Sequence, residues 1–268
     1  MDKKEYGESM MIKVNNLTKK FKDFTAVDNI SFSAQGGEIF AFLGPNGAGK
    51  TTTIKMLTTV LGPSSGTIEI NGFDPVKDQN QVRKSFGIVF QDSSVDDELT
   101  AYENMLIHAV LYKIPKKERR VKIQQLLEFV ELWDRKKEVV KNFSGGMKRR
   151  LEIAKGLIHH PAILFLDEPT QGLDPQTRNH IWEYIKKMNQ EEHMTVFFTT
   201  HYIEEAEKMA DKVVVIDHGQ IIATGSPEEL KTQTQKGNLE DAFIALTGNK
   251  IREEAADGLT QLRRRFRH

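Results

Sequence analysis

The sequence predicts an α/β protein on a mostly parallel sheet, with an antiparallel β subdomain at its amino-terminal side and an inserted α-helical subdomain. Three observations carry this expectation. The apolar runs at 39–43 (IFAFL) and 162–166 (AILFL) do not alternate with polar residues, the pattern of strands buried on both faces of a parallel sheet. Further strand-like runs at 195–199 and 213–216 are separated by stretches of helical period. From about residue 93 to 142 the apolar positions recur at helical spacing, with no strand signal.

The elements follow in order. Residues 11–14 read as a strand, and 30–34 (ISFSA) alternate with period two, the half-buried pattern. The run 39–43 ends at a glycine-rich loop, after which Ile54, Leu57 and Leu61 mark a helix that Gly62-Pro63 stops. A strand is expected at 88–90. Pro115 is placed to open a helix whose buried face is Ile123, Leu126, Leu127 and Val130. DHGQ, 217–220, reads as a turn between two strands. Asn238 can cap a last helix, with Asp241 at the capping-box position and Leu239, Phe243 and Leu246 on one face. The expected division is a discontinuous core of 1–92 and 144–232, a helical insertion of 93–143 with the helix near 144–159 packed on it, and a short carboxyl-terminal unit of 233–268. No internal repeat or low-complexity linker is evident.

Composition narrows the function. A length of 268 residues suits one large α/β domain or two small ones. The 38 basic and 38 acidic residues cancel, so no global field recruits nucleic acid, and no nucleic-acid partner is expected. With no cysteine, disulfides, thiolate metal sites and a cysteine nucleophile are excluded. The first residues lack the apolar core of a signal peptide, and no apolar stretch approaches the roughly 20 residues that span a bilayer. The stretch 250–268 is locally basic (Lys250, Arg252, Arg263, Arg264, Arg265 and Arg267), readable either as a solvated tail or as a contact for lipid headgroups.

The strongest motif is GPNGAGKT at 44–51, which matches G-x-x-x-x-G-K-[ST] between an expected strand and an expected helix. Its glycines let backbone N–H groups converge on phosphates, and the helix start adds positive potential. Lys50 supplies charge to the β- and γ-phosphates, and the Thr51 hydroxyl is a Mg²⁺ ligand. A P-loop NTPase core follows. In ILFLDEPT, Asp167 emerges at the carboxyl end of a central strand, where it can hold the Mg²⁺ shell, and Glu168 can polarise an attacking water. His201 ends another strand and can meet the γ-phosphate or that water; taken alone, a histidine at a strand end is more often structural. Gln91 lies just past a strand, where its amide oxygen can reach Mg²⁺ or simply face solvent. A second glycine turn, Ser144-Gly145-Gly146, stands ahead of a helix with Met147, Leu151, Ala154 and Ile158 on one face. The cations Lys148, Arg149 and Arg150 read as a solvated face there.

These motifs, in this order from about residue 11 to 225, resemble the nucleotide-binding subunit of an ATP-binding cassette (ABC) transporter. The resemblance implies that ATP is held by Gly44, Pro45, Asn46, Gly47, Ala48, Gly49, Lys50, Thr51 and Thr52. It makes Gln91 the glutamine loop, FSGGM at 143–147 the signature, Asp167 and Glu168 the Walker B acids, Asp174 part of the following GLD loop, and His201 the switch histidine. Phe21 is the candidate to stack on adenine, with Phe24 second. The implied catalytic set is Lys50, Gln91, Glu168 and His201, and the implied metal ligands are Thr51, Gln91 and Asp167. Phe143 and Met147 stand where leucine and glutamine are commonest, QGLD replaces the commoner Ser-Ala-Leu-Asp, and Phe21 lacks the usual tyrosine hydroxyl.

Within the family, the sequence is most like the daunorubicin-type drug-export ATPases. The resemblance implies a head-to-tail dimer, of this chain or with a close homologue, in which Ser144, Gly145 and Gly146 approach the γ-phosphate held by the partner's P-loop. It also implies an integral-membrane permease docked on the helical insertion, hence a peripheral position on the cytoplasmic face. Asp96, Asp97 and Glu98 either meet basic residues of that permease or form a solvated loop. The alternatives are an importer ATPase and a soluble ABC ATPase without a permease; the latter commonly has two cassettes or a long coiled-coil insertion.

Overall fold

The computed structural model describes residues 10–248, so the basic stretch 250–268 and both readings of it lie outside the described residues. Two sheets form the frame. The first is antiparallel, in the order β2-β1-β4, from β1 (Met10–Phe21), β2 (Phe24–Gln35) and β4 (Ser65–Ile70). The second has the order β5-β6-β7-β3-β8-β9, from β3 (Ile39–Leu43), β5 (Phe86–Val89), β6 (Ile163–Asp167), β7 (Thr195–Thr200), β8 (Lys212–Asp217) and β9 (Gln220–Gly225). Every pairing in it is parallel except β8 with β9. The expected mostly parallel sheet and antiparallel subdomain are therefore both present.

The uninterrupted apolar runs have a direct explanation. In β3, Phe40 and Phe42 enter one core and Ile39, Ala41 and Leu43 the other. The same split divides Phe165 from Leu164 and Leu166, and Phe197 from Val196 and Phe198. Successive side chains of a strand point to opposite faces, so burial on both sides demands apolar residues at every position. On the first face the rings of Phe40 and Phe197 stack at 5.3 Å, with Phe32, Phe42 and Phe165 against them. Burying each such ring fully contributes about 1.5–3 kcal/mol.

The second face is covered by α3 (Ala101–Leu111), α4 (Lys116–Phe129), α5 (Gly145–Leu157) and α6 (Pro175–Glu192), all between β5 and β7 in the chain. Thr100 caps α3 with a complete capping box closed by Glu103. Pro115 stands immediately before α4, and Ile123, Leu126, Leu127 and Val130 are buried as the spacing predicts. Helix α5 lies directly on β5: a Cβ on Gly87 would collide with the Gly156 carbonyl.

Several expected boundaries move. The strands β1 and β2 are longer than the short runs expected, because they form a 12-residue ribbon with register shifts. Helix α1 (Lys50–Leu57) ends before Leu61 instead of running to Gly62-Pro63. Val60 and Leu61 both donate to the Lys55 carbonyl, and Thr59 takes a left-handed φ of 63°, which closes the helix early. Strand β4 and helix α2 (Gln79–Ser85), both short, are additional. His218 and Gly219, at φ 46° and 76°, make the two-residue turn between β8 and β9. Helices α7 (Ile203–Met209), α8 (Pro227–Thr234) and α9 (Leu239–Thr247) complete the order. Asn238 caps α9 by accepting from Asp241 N, while the Asp241 carboxylate returns to the Asn238 amide group at 3.2 Å in place of a backbone N–H.

Candidate active site

The loop 44–49 leaves the carboxyl end of β3 and runs straight into α1. Strand β3 sits between β7 and β8, so the residues ending β6 and β7 arrive beside the loop. The loop itself is braced from outside. Gly219 N donates to Ala48 O at 3.0 Å, and Gly219 O accepts from Asp28 N at 2.8 Å. Gly49 has φ 104°, and a Cβ there would meet Ala26 O at 2.6 Å, so only glycine fits this crossing.

Lys50 Nζ points back into the loop, donating to Gly44 O (2.8 Å) and Pro45 O (3.1 Å) and pairing with Glu168 at 3.1 Å. Burial draws its ammonium below the ordinary lysine value, against the opposing pull of Glu168 and Asp167. The Thr51 hydroxyl donates to Asp167 Oδ1 at 3.2 Å, and Thr199 Oγ1 donates to the same oxygen at 2.6 Å. His201 Nδ1 lies 3.1 Å from Glu168 Oε2. Glu168 thus receives Lys50 on one carboxylate oxygen and His201 on the other.

The backbone at Glu168 is left-handed, φ 49°, which costs a non-glycine residue on the order of 1–3 kcal/mol and clusters at functional sites. Its N–H is held by Thr199, through both O (3.2 Å) and Oγ1 (3.1 Å). Behind it Glu205 accepts from the Thr170 and Thr200 hydroxyls, joining the loop after β6 to the end of β7.

Gln91, exposed after β5, donates to Gln171 Oε1 at 2.6 Å. Ser144 caps α5 by accepting from Met147 N at 3.2 Å, and Asp174 caps α6 by accepting from Thr177 N and Oγ1, bonds that hold its carboxyl below the ordinary range. Phe21 ends β1 opposite Phe24, and both rings are exposed. The structure therefore gathers Lys50, Thr51, Asp167, Glu168 and His201 into one contact network. Among the described residues no hydrogen bond ties Ser144, Gly145, Gly146, Asp174 or Phe21 to the loop 44–52.

Asp96, Asp97 and Glu98 stay exposed, with Lys148 pairing with Asp97 (2.7 Å) and Lys141 with Glu98 (3.4 Å). One surface expectation changes. Arg149 is buried rather than solvated, because α5 is covered on opposite sides by the sheet and by α3 and α4. Sequence reasoning also missed Thr199, Gln171 and Glu205, whose types are ordinary; they stand out only by place, Thr199 near the end of β7, Gln171 in the loop after β6 and Glu205 in α7.

Thr51 and Asp167 offer hard oxygen donors side by side, which fits Mg²⁺, an ion that keeps waters and phosphate oxygens as its other ligands. Among the described residues no group of three or more His, Cys, Asp or Glu could hold a metal ion. No helix there is long and apolar enough to cross a membrane.

Comparison with known proteins agrees with the geometry. The profile of the family described as ABC transporter matches residues 27–171. The linearmycin resistance ATP-binding protein LnrL of Bacillus subtilis is 40% identical over 243 residues, 91% of this chain and 76% of the relative. The daunorubicin resistance ATP-binding protein DrrA3 of Streptomyces coeruleorubidus is 39% identical, over 83% of this chain and 70% of the relative. Among solved structures, the ATP-binding cassette MJ0796, a dimer in a post-hydrolysis state bound to ADP and Pi, superposes with a TM-score of 0.73 at 28% identity, covering 81% of this chain and 98% of that one.

Proposed function

The chain belongs to the ABC transporter family, as an ATP-binding protein of it, and from that premise we propose that it hydrolyses Mg-ATP between two head-to-tail subunits to drive a membrane permease. One observation carries the two-subunit reading. The loop 44–52 and the Ser144 turn are both suited to phosphate, yet among the described residues no hydrogen bond joins them. Ser144 and the first N–H groups of α5 then serve the nucleotide of a second subunit.

In this mechanism Lys50, buried at the mouth of α1, supplies positive charge to the phosphoryl oxygens. Thr51 and Asp167, with Gln91 from the next loop, are the residues that would hold Mg²⁺. The ion, when bound, neutralises charge that builds on the phosphates. Glu168 polarises the attacking water, and His201, bonded to it, fixes the carboxylate's direction. Asp174 holds the start of α6 at the subunit boundary, and Phe21 offers a ring for adenine. Residues 1–92 and 144–232 act as the core, 93–143 as the insertion on which the permease docks, and 233–268 as an accessory end.

The permease places the chain peripherally at the cytoplasmic face. The resistance functions in the names of LnrL and DrrA3 support an exported, drug-like or lipophilic cargo. The test is light scattering of Glu168→Gln with excess Mg-ATP: a dimer is expected, and a persistent monomer overturns the two-subunit mechanism.

A further inference from the structure

The Arg149 guanidinium is buried at a junction of three functional segments. Nε donates to Pro169 O at 2.7 Å, and Nη2 donates to Glu168 O at 2.9 Å and Asp167 O at 3.4 Å. Nη1 reaches Phe90 O at 2.6 Å, the residue just before Gln91, and pairs with Glu152 at 3.0 Å. One planar fork thus holds three successive carbonyls of the turn in which Glu168 has its left-handed φ. The far side of the Gln91 loop is gripped from the same helix. Glu152 Oε1 accepts from Ser94 N at 2.6 Å, and Lys155 Nζ donates to Ser94 O and Oγ, each at 2.6 Å. Glu152 and Lys155 are also buried.

Such a cluster is a poor source of net stability, since three charges must be desolvated. Its geometry has another use. Phe90 and Ser94 bracket Gln91, and both are bonded to the helix that Ser144 caps. We propose that Arg149 is a positioning residue: with Glu152 and Lys155 it locks helix α5, the Gln91 loop and the Glu168 turn into one register. A shift of α5 at the subunit boundary then moves Gln91 and re-aims the Glu168 carboxylate together. The proposal rests on the ATPase reading above.

The test uses the full chain and three variants: Arg149→Met, Arg149→Met with Glu152→Met, and Arg149→Lys. The double variant removes both members of the buried pair, so no lone carboxylate is left inside. Mg-ATP turnover, KM, the affinity for a fluorescent ADP analogue and the thermal midpoint are measured for each. The folded double variant is expected to keep KM and ADP affinity within about twofold, with kcat lowered about 10–100-fold, the scale of a small misplacement of a reacting group. Arg149→Lys, whose ammonium cannot span the carbonyls, is expected to recover only part of kcat.

Parental kcat in the double variant overturns the proposal, as does a loss of kcat matched by an equal loss of ADP affinity. Should the double variant fail to fold, Arg149→Lys decides: parental kcat overturns the proposal, and reduced kcat at parental ADP affinity supports it. If the parent chain hydrolyses no Mg-ATP, the ATPase reading falls and the proposal falls with it.

Discussion

Lys50 and Glu168 form a buried ion pair 3.1 Å long, with 4% and 6% of their side chains exposed. The cation that attracts phosphate oxygens and the carboxylate that repels them share one small space. Glu168→Gln keeps the shape but removes the competing charge. Mg-ATP affinity is therefore expected to rise a few-fold while turnover falls about 10²–10⁴-fold. Equilibrium binding and single-turnover hydrolysis read the two effects separately, and weakened binding would contradict the pairing.

Ser144 has two tasks that substitution can separate. Ser144→Ala loses the cap bond to Met147 N and is expected to lose about 0.5–2 kcal/mol of stability. Ser144→Asp retains a good cap but sets an anion against phosphate. It is expected to melt at the parental temperature, to bind nucleotide in its own P-loop, and to remain monomeric in the Glu168→Gln background. Dimerisation of Ser144→Asp would place Ser144 away from any phosphate.

Gly49 and Gly62 make a matched pair of substitutions. At Gly49 an added methyl meets Ala26 O at 2.6 Å on a backbone of φ 104°; at Gly62 it meets nothing within 4 Å. Gly49→Ala is expected to abolish nucleotide binding and to lower stability by more than about 1 kcal/mol. Gly62→Ala should leave binding unchanged and stability within about 0.5 kcal/mol. Calorimetric titration with nucleotide, alongside denaturant unfolding, measures both.

Acid should weaken the fold through two partly buried imidazoles. Burial, then the charges of Lys155 and His159, lower His108 to about 4; burial, then His160, lower His159 to about 4 against the upward pull of its bond to Phe86 O. His159 also stacks on Tyr112 at 3.7 Å. The unfolded chain takes up these protons near the ordinary value of 6.5. Their contribution is thus full above about pH 6.5 and is lost as pH falls through about 4. Thermal midpoints should drop across that window, and His108→Gln with His159→Gln should flatten the drop.

The fold was legible where burial is symmetric. Strand β3 reads correctly because both its faces are covered, and α4 because one of its faces is. Strand β4 was not, since most of its residues are exposed and no apolar run marks it. In the site, the residues that chemistry restricts to a single type stood out: the loop glycines, Lys50, Asp167 and Glu168. Arg149 did not, because an arginine in a charged helix has the same sequence appearance whether it faces water or four backbone carbonyls. Its role depends on what lies above and beneath α5, which no local pattern encodes.

The bracing of the P-loop also sets when the protein becomes competent during its synthesis. The motif emerges from a ribosome early, but β7 and β8, the two neighbours of β3, follow much later. Gly219, which fastens Ala48 and Asp28, comes last. Because these long-range pairings must all close before the loop is fixed, nucleotide binding arrives as one late event. A nascent chain cut short of Thr195 is no weakened ATPase; its β3 is an apolar strand with two open edges, a substrate for chaperones.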